Sequence, residues 1–295
     1  MANLKALRIR IASVKSTQQI TSAMKMVSAA KLRRAQDKIV RLRPYANKLH
    51  EILVCLSQSL SDSEVENIYG RVSSPDKVLL VVITSNSGLC GAFNANVIKE
   101  AKRIITDKYY DQYKKGNLHI LAIGKKGYDS FRRTSVKMLP DRNDLFANLS
   151  FDSVSNVAEQ VMKSFTSGEY DRIELVYNQF KNAAVQRLTE ETFLPVKAAS
   201  DEGKTNSTYT VDYIYEPDQE HIVKELIPKS LKIQFYKAVI DSFVAEHGAR
   251  MTAMHKATDN ASNLVRELTL QYNKARQAAI TNQIIEVSSG AEALK

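Results

Sequence analysis

The spacing of apolar residues predicts a long helix at each end of the chain. Over residues 1–58, and again over about 217–286, apolar side chains recur at spacings of three and four, which is typical of a coiled-coil seam. At ~1.5 Å per residue the first helix would be ~85 Å long. Since each helix meets the other at a high effective concentration, antiparallel pairing within the chain is the simplest arrangement. Pairing between two chains is the alternative that the sequence leaves open.

The first helix carries two sets of apolar positions that do not share one register. The positions that fit a heptad are Leu4, Leu7, Ile11, Val14, Leu32, Ala35, Ile39, Leu42, Ala46, Leu49, Leu53 and Leu56. Ile20, Met24 and Val27 stand one residue out of that register, which predicts a local slip that changes the winding of the supercoil. Pro44 predicts a bend near residues 40–44, because a proline removes a backbone hydrogen bond inside a helix.

The last helix shows a regular heptad with many small residues. Its two rows are Ile240, His247, Met254, Ala261, Leu268 and Ala275, and Val244, Met251, Thr258, Val265, Tyr272 and Ala279. Small side chains at these positions let a partner helix approach closely. Residues 277–294 carry few charges, which is unexpected for a helix end in water. We therefore expect another protein to enclose this end.

The middle of the chain predicts a compact α/β domain. Apolar runs of strand length alternate with amphipathic helical segments such as Phe151–Thr166, a pattern that favours a mainly parallel sheet covered on both faces. The predicted strands are residues 77–86, 118–124 and 173–182, with a hairpin partner at 186–196 and a short strand at 135–138. We divide the chain into an N-terminal coiled-coil helix (1–60), a Rossmann-like three-layer α/β domain (61–210) and a C-terminal coiled-coil helix (211–295).

Charge is concentrated in the first helix. The net charge is +10, and residues 1–50 hold twelve Lys and Arg against one acid, Asp37, so the remainder is nearly neutral. Such a helix favours a nucleic acid, an anionic membrane or an acidic protein surface as partner. No run approaches the ~18 consecutive apolar residues of a membrane span. Two cysteines without a CxxC pair fit a reducing compartment.

No motif in the chain predicts an active site. The turn at Gly88–Gly91 follows a strand and opens a helix, where a phosphate-binding loop could lie, but it matches neither GxGxxG nor GxxxxGK[ST]. Residues 124–127 also lack the phosphate-loop spacing, and Cys90 has no nearby histidine in sequence. The five histidines have no metal-ligand spacing. A nucleic-acid-binding or coiled-coil scaffold protein is the alternative that the basic helix keeps open, and an enzyme built on the central domain is a third.

Several motifs in order resemble one family along essentially the whole chain. They are Ile11–Val14, Thr17–Thr21, Ala23–Val27, Ala30-Lys31, Gly88–Gly91, Tyr213–Pro217, Ala249–Met251, Ala253-Met254, Ala257–Ala261, Tyr272–Gln277, Ile280–Glu286 and Gly290-Ala291. This set is similar to the gamma subunits of F-type ATP synthases, the central rotor shaft. Two departures stand out. The family usually has Glu at position 283, where this chain has Gln283, and Asn86 and Ser87 replace an Asp-Arg pair in the central turn.

The resemblance implies a shaft inside a hexamer of alternating alpha and beta subunits, with catalysis on the hexamer and no cofactor or active site on this chain. It implies a single copy per complex, turned by the proton-driven c-ring, with the epsilon subunit at the foot and no nucleic acid. The expected coupling contacts to the alpha and beta subunits are Met24, Lys25, Arg250, Arg276, Gln277 and Thr281. The expected contacts to the c-ring and epsilon are Tyr213 and Glu216. A bacterial inner membrane, on its cytoplasmic side, is the implied location, with the matrix side of the mitochondrial inner membrane as the alternative.

Overall fold

A computed structural model describes residues 4–59, 68–71, 74–196 and 219–293 of the chain. The chain divides into two compact units, of which the first joins Met1–Ala30 to Arg250–Lys295 and the second is Lys31–Ala249. Two long helices, α1 (Leu4–Ser59) and α6 (Gln219–Ala293), contribute to both units. The predicted linker at 61–77 lies in large part outside the described residues.

A five-stranded sheet forms the centre of the second unit. Its strands are β1 (Val78–Ile83), β2 (Leu118–Ile123), β3 (Lys137–Met138), β4 (Arg172–Phe180) and β5 (Gln186–Leu194). They lie in the order β3-β2-β1-β4-β5. The first four strands are parallel, whereas β5 returns antiparallel to β4 as its hairpin partner. Every side chain of β1 is buried, as expected for a central strand covered on both faces.

Helices cover both faces of this sheet. The shorter ones are α2 (Phe93–Asp107), α3 (Tyr110–Lys115), α4 (Lys125–Phe131) and α5 (Phe151–Thr166). Alternate β1 residues point to opposite sides, so Leu80 joins a core built with α2, while Val81 joins a core built with α5 and residues 227–239 of α6. The predicted three-layer α/β architecture is confirmed.

The first unit is an antiparallel pair of helices. The contacts between their side chains are Arg8 Nη2 to Tyr272 Oη (2.9 Å), Thr21 Oγ1 to Thr258 Oγ1 (2.8 Å) and Lys25 Nζ to His255 Nδ1 (3.4 Å). Residues further along α1 contact residues earlier in α6, so the two helices run antiparallel. The heptad predicted for α6 agrees with the burial of its seam, since Met254, Ala261 and Leu268 are all buried.

The predicted slip in the register of α1 is wrong. The heptad begun at Leu4 continues without interruption through Gln18, Thr21, Lys25 and Ser28, which are all buried or half-buried. Ile20 and Val27 are instead 58% and 57% exposed. The prediction failed because it followed the apolar residues, whereas this part of the seam is polar. The helix continues through Pro44, and the bend predicted near it stays a prediction.

Gly124 is required where β2 ends and α4 begins. Its φ is +106°, a conformation that side chains rarely adopt, and a Cβ added there would lie 2.2 Å from the carbonyl oxygen of Thr84. The same Thr84 accepts a hydrogen bond at Oγ1 from the backbone N–H of Gly127 at 2.8 Å. Close packing of α4 against the end of β1 therefore depends on the absence of a side chain at position 124.

We expect Gly124→Ala to destabilise the chain by more than about 3 kcal/mol, because it combines backbone strain with a clash against a buried carbonyl. The matched control is Gly91→Ala, since Gly91 also has a positive φ but a Cβ there would meet nothing within 4 Å. This control should cost about 1 kcal/mol. Urea unfolding of the two variants measures the difference, and equal losses would show that the clash is relieved locally.

We expect Thr21→Cys with Thr258→Cys to form an intramolecular disulfide, because the two hydroxyl oxygens lie 2.8 Å apart across the seam. Cys55 and Cys90 are replaced by serine in this experiment, and a mobility shift on a non-reducing gel reports the cross-link. The control, Ile20→Cys with Thr258→Cys, should not cross-link, since Ile20 points out of the seam. Cross-linking of the control alone would instead support the slipped register that the sequence predicted.

Candidate functional site

An apolar stripe on α1 faces away from the helix that pairs with it. Ile20, Met24 and Val27 are spaced by four and three residues, which aligns them along one side of a helix. The polar heptad positions occupy the seam, so Ile20 and Val27 are more than half exposed and Met24 is half-buried. We call these three residues the outward stripe. No described residue of the chain covers it fully, which makes it a candidate contact surface.

Exposed cations run along the same helix. The exposed Lys and Arg residues of α1 are Lys5, Arg8, Arg10, Lys15, Lys31, Arg33, Arg34, Lys38, Arg41 and Lys48. One of them, Arg8, is engaged with Tyr272 of α6. These cations lie before and after the outward stripe, up to Lys15 and from Lys31 onward, so α1 favours a partner that offers acidic groups as well as an apolar patch.

Met24 and Lys25, adjacent in sequence, have different environments. Lys25 occupies a seam position, where its Nζ lies 3.4 Å from His255 Nδ1. His255 in turn lies 3.5 Å from Asp259 Oδ2, one turn along α6. Of the two predicted contact residues, Met24 belongs to the outward stripe, whereas Lys25 joins the two helices to each other.

The predicted contact residues near the end of α6 form a small exposed group. Arg276, Gln277 and Thr281 are all exposed, and Thr281 Oγ1 donates a hydrogen bond to the carbonyl of Gln277 at 3.0 Å. Arg250 differs from them, because it is only 7% exposed. Its guanidinium therefore offers little surface to an outside partner in this conformation of the chain.

The last segment of α6 extends as a single exposed helix. Residues 281–292 are all exposed, including Ile284, Ile285 and Val287, of which Val287 is 73% exposed. A shallow groove on this segment is lined by Ile280, Gln283, Ile284, Val287 and Ser288. Within residues 281–292 the only ionisable side chains are Glu286 and Glu292. We call residues 280–292 the tip, and its surface carries few charges, as the sequence predicted.

The central turn is filled by hydrogen bonds of the chain itself. Asn94 Oδ1 accepts a bond from the backbone N–H of Ser85 at 2.9 Å. Asn86 bridges two other loops, since its Oδ1 accepts from the N–H of Lys125 at 3.0 Å and its Nδ2 donates to the carbonyl of Asn143 at 2.8 Å. An asparagine can do both because it carries a donor and an acceptor. These bonds support a structural role for the turn and account for Asn86 at this position.

Cys90 is buried beside this turn. It is 2% exposed, and Asn94 Nδ2 lies 3.2 Å from its Sγ. Among the residues that the structure describes, no three His, Cys, Asp or Glu side chains converge as metal ligands would. The side chains gathered here therefore pack the turn, and the groups that face solvent on α1 and α6 are the candidate functional surfaces.

Sequence reasoning missed the exposure of Ile20 and Val27. The signal that could have found it was the phase of the heptad, which carries through Gln18 and Thr21 when polar residues are allowed in the seam. Tyr213 and Glu216, the predicted contacts of the foot, lie outside the described residues. Their predicted roles stay predictions.

Comparison with known proteins connects these surfaces to one family. A family model described as ATP synthase matches residues 3–294. The ATP synthase gamma chain of Flavobacterium johnsoniae is 56% identical over 294 residues, covering 100% of this chain and 99% of that one. The ATP synthase gamma chain of Cytophaga hutchinsonii is 51% identical with the same coverage.

Solved structures share the fold. A chain in the central stalk and c-ring structure of the Tetrahymena thermophila mitochondrial ATP synthase is 25% identical, with a TM-score of 0.57, and the match covers 81% of this chain and 99% of that chain. A chain of the Euglena gracilis mitochondrial ATP synthase is 21% identical with a TM-score of 0.65, covering 99% of this chain and 94% of that chain.

These matches span the two long helices and the sheet together, and they favour the rotor shaft over the nucleic-acid-binding alternative. Across the described ranges, none of the helices has the length and apolar character needed to cross a membrane. The chain therefore belongs to the ATP synthase gamma-chain family, as a non-catalytic, central-stalk subunit of that complex.

Proposed function

We propose that the chain couples rotation to catalysis through the outward stripe of α1. Ile20, Met24 and Val27 carry this proposal, because they form an apolar surface that the helix–helix seam leaves uncovered. An exposed apolar stripe costs solubility and adds nothing to the seam, so a partner protein is its natural cover. The partners are the alpha and beta subunits, arranged as a hexamer around the two helices.

Coupling arises because the free energy of contact between the shaft and a beta subunit differs from one nucleotide state of that subunit to another. The stripe lies on one side of α1, so a beta subunit that faces it meets a different surface from one that faces another side. Binding to one conformation of the subunit better than to another shifts its population toward that conformation. Turning the shaft by the c-ring then changes which subunit is shifted.

The remaining predicted contacts take separate roles in this mechanism. Arg276, Gln277 and Thr281 are exposed and meet the alpha and beta subunits directly. Lys25 contributes through the seam, because its ammonium group lies beside His255 and fixes the helix that presents Met24. Arg250 is largely buried and supports α6 from within, with little direct contact.

The tip works as the bearing of the shaft. Its exposed Ile284, Ile285 and Val287 turn within an apolar collar of the hexamer, where the absence of strong charge lowers the cost of removing water. Gln283 suits this environment, since a neutral amide costs less to bury than the carboxylate usual in the family. Catalysis stays on the hexamer, and the chain needs no cofactor.

The foot of the shaft meets the c-ring and the epsilon subunit through Tyr213 and Glu216. One copy of the chain per complex follows from a shaft that occupies a single axis. We keep the division into a helix at 1–60, a domain at 61–210 and a helix at 211–295 as the working description of these parts. The domain between the helices mounts the shaft on the ring.

The complex is membrane-bound, and this chain is a peripheral member of it. We propose the cytoplasmic side of a bacterial inner membrane as the location, because the relatives with the quoted identities above 50% are bacterial chains. The matrix side of a mitochondrial inner membrane is the alternative. Separation of membranes from cytosol in the source cells, followed by a low-salt wash, distinguishes attachment through the complex from free protein.

We expect Met24→Lys to lower the protons pumped per ATP hydrolysed about fivefold without preventing assembly, because it places a charge in the apolar stripe at the interface. The measurement pairs ATP hydrolysis with ATP-driven proton pumping in vesicles that contain the purified complex. The control is Met26→Lys, which adds the same charge at a more exposed residue outside the stripe. Equal loss of hydrolysis and pumping in Met24→Lys would count against a coupling role.

We expect Ile284→Asp to leave the melting temperature of the isolated chain unchanged, because Ile284 is 63% exposed. In the assembled complex the same change should slow ATP turnover, since a carboxylate must then enter the apolar collar. Ile284→Met is the matched control and should retain turnover, because it keeps an apolar side chain of similar size. Normal turnover of Ile284→Asp would rule out an apolar bearing at this position.

A further inference from the structure

Within the second unit, α6 is built into the sheet domain. Its residues that enter the core beside the sheet are Ile227, Leu231, Phe235, Ala238 and Val239. Polar bonds add to this packing, since Gln234 Nε2 donates to Glu191 Oε1 of β5 at 2.6 Å and Lys232 pairs with Glu159 of α5. Any rotation of the sheet domain therefore carries this segment of α6 with it.

Helix α1 is joined to the same unit in a different way. None of its described residues belongs to the two apolar cores that flank the sheet, although Leu32, Ala35 and Ile39 are buried. A polar bridge adds to this apolar burial. Arg43 Nη2 donates to the carbonyl oxygen of Phe180, the last residue of β4, at 2.9 Å. The same nitrogen donates to Asp241 Oδ1 of α6 at 3.0 Å.

The Asp241 carboxylate depends on Arg43 for its hydrogen bond. Its side chain is fully buried, whereas that of Arg43 is 40% exposed. Burial raises the pKa of Asp241, and the Arg43 guanidinium opposes that effect. Lys237 lowers the pKa of this carboxyl group and Glu191 raises it, both with smaller effects than Arg43. In the described part of the chain, Asp241 Oδ2 has no hydrogen-bond partner, so Arg43 supplies the bond that orients this carboxylate.

Directional bonds and apolar packing resist rotation differently. Burial of Leu32, Ala35 and Ile39 sets which face of α1 turns inward, but the hydrophobic effect is itself non-directional and sets that angle only broadly. A hydrogen bond weakens steeply as its angle changes, so two acceptors on two different elements fix the rotational setting of the donor. Arg43 has one acceptor at the end of β4 and one on α6, which together define how α1 is turned in this unit.

We propose that Arg43 is a positioning residue of the shaft, which locks the rotational register of α1 to β4 and α6 so that torque carried by the sheet domain reaches the outward stripe. This inference rests on the proposed function of the stripe, which lies about 20 residues earlier on the same continuous helix. Arg43 itself contacts no catalytic group and acts only through the setting of α1.

The test removes the bridge without leaving a buried charge. Arg43→Met with Asp241→Leu replaces the ion pair by apolar side chains, a change that usually preserves stability. In vesicles containing the assembled complex, we expect ATP hydrolysis to continue while protons pumped per ATP fall about fivefold. The matched control is Arg41→Met, which removes a charge from an exposed position on the same helix and should keep the parental ratio.

Thermal unfolding of each variant chain separates positioning from stability. A lowered pumping ratio with an unchanged melting temperature supports the proposal, because a merely structural pair would not affect coupling in a stable chain. If the apolar pair fails to assemble, Arg43→Gln with Asp241→Asn removes both charges with side chains of similar size, and the same loss is expected. If an assembled double variant pumps as many protons per ATP as the parent, the proposal is overturned. It is also overturned if Arg43→Met alone lowers this ratio and the addition of Asp241→Leu restores it.

Comparison with Met24→Lys distinguishes this inference from the function it rests on. A lowered ratio in Met24→Lys together with a parental ratio in the double variant would reject the role of Arg43 and leave the outward stripe as the contact. A lowered ratio in the double variant alone would retain the register role of Arg43. It would also show that the coupling surface on α1 lies elsewhere than at Met24.

Discussion

The pairing of α1 with α6 along one heptad seam is the constraint on which the other features depend. A seam of continuous apolar residues would bind more strongly, but part of this one is built from Gln18, Thr21, Lys25 and Ser28. Polar residues at such positions lower stability and specify register, because their hydrogen bonds form in only one alignment. The bond between Thr21 and Thr258 is of this kind. With the seam so occupied, apolar residues of α1 remain available for its outer surface.

The sheet domain gives one of these helices a rigid mounting. Residues 227–239 of α6 form part of a core beside the sheet, where Phe235 packs against Phe193 of β5 with ring centroids 5.5 Å apart. Such interiors are close-packed and transmit displacement with little compression. At the edge of the domain, Gly248 approaches Ala183 so closely that an added Cβ would lie 3.3 Å from its Cα. The packing of α6 is thus continuous from the core to the β4–β5 turn.

The parts that sequence could predict are those set by local pattern. Phe151–Thr166 was predicted with the bounds it has, because its apolar residues follow the helical period. The structure adds that Ser150 caps its first turn. The strands were found to within a few residues for the same reason. The slip at Ile20–Val27 was predicted wrongly, since a count of apolar residues cannot show that a seam has become polar. The bridge from Arg43 to Asp241 spans 198 positions, and neither residue belongs to a local motif that would connect them.

The division between seam and surface explains how a subunit without catalytic groups can direct catalysis elsewhere. A shaft that presented the same surface on every side would contact each surrounding subunit equally and could shift no equilibrium among their conformations. Here the polar stretch of the seam coincides with the outward stripe, so two neighbouring residues, Met24 and Lys25, serve the surface and the seam respectively. Asymmetry of the outer surface and fixed register of the helices are then two consequences of one arrangement. If the helices could turn against each other, the asymmetric surface would lose its fixed direction. Holding that direction is the role that we propose for the bridge at Arg43.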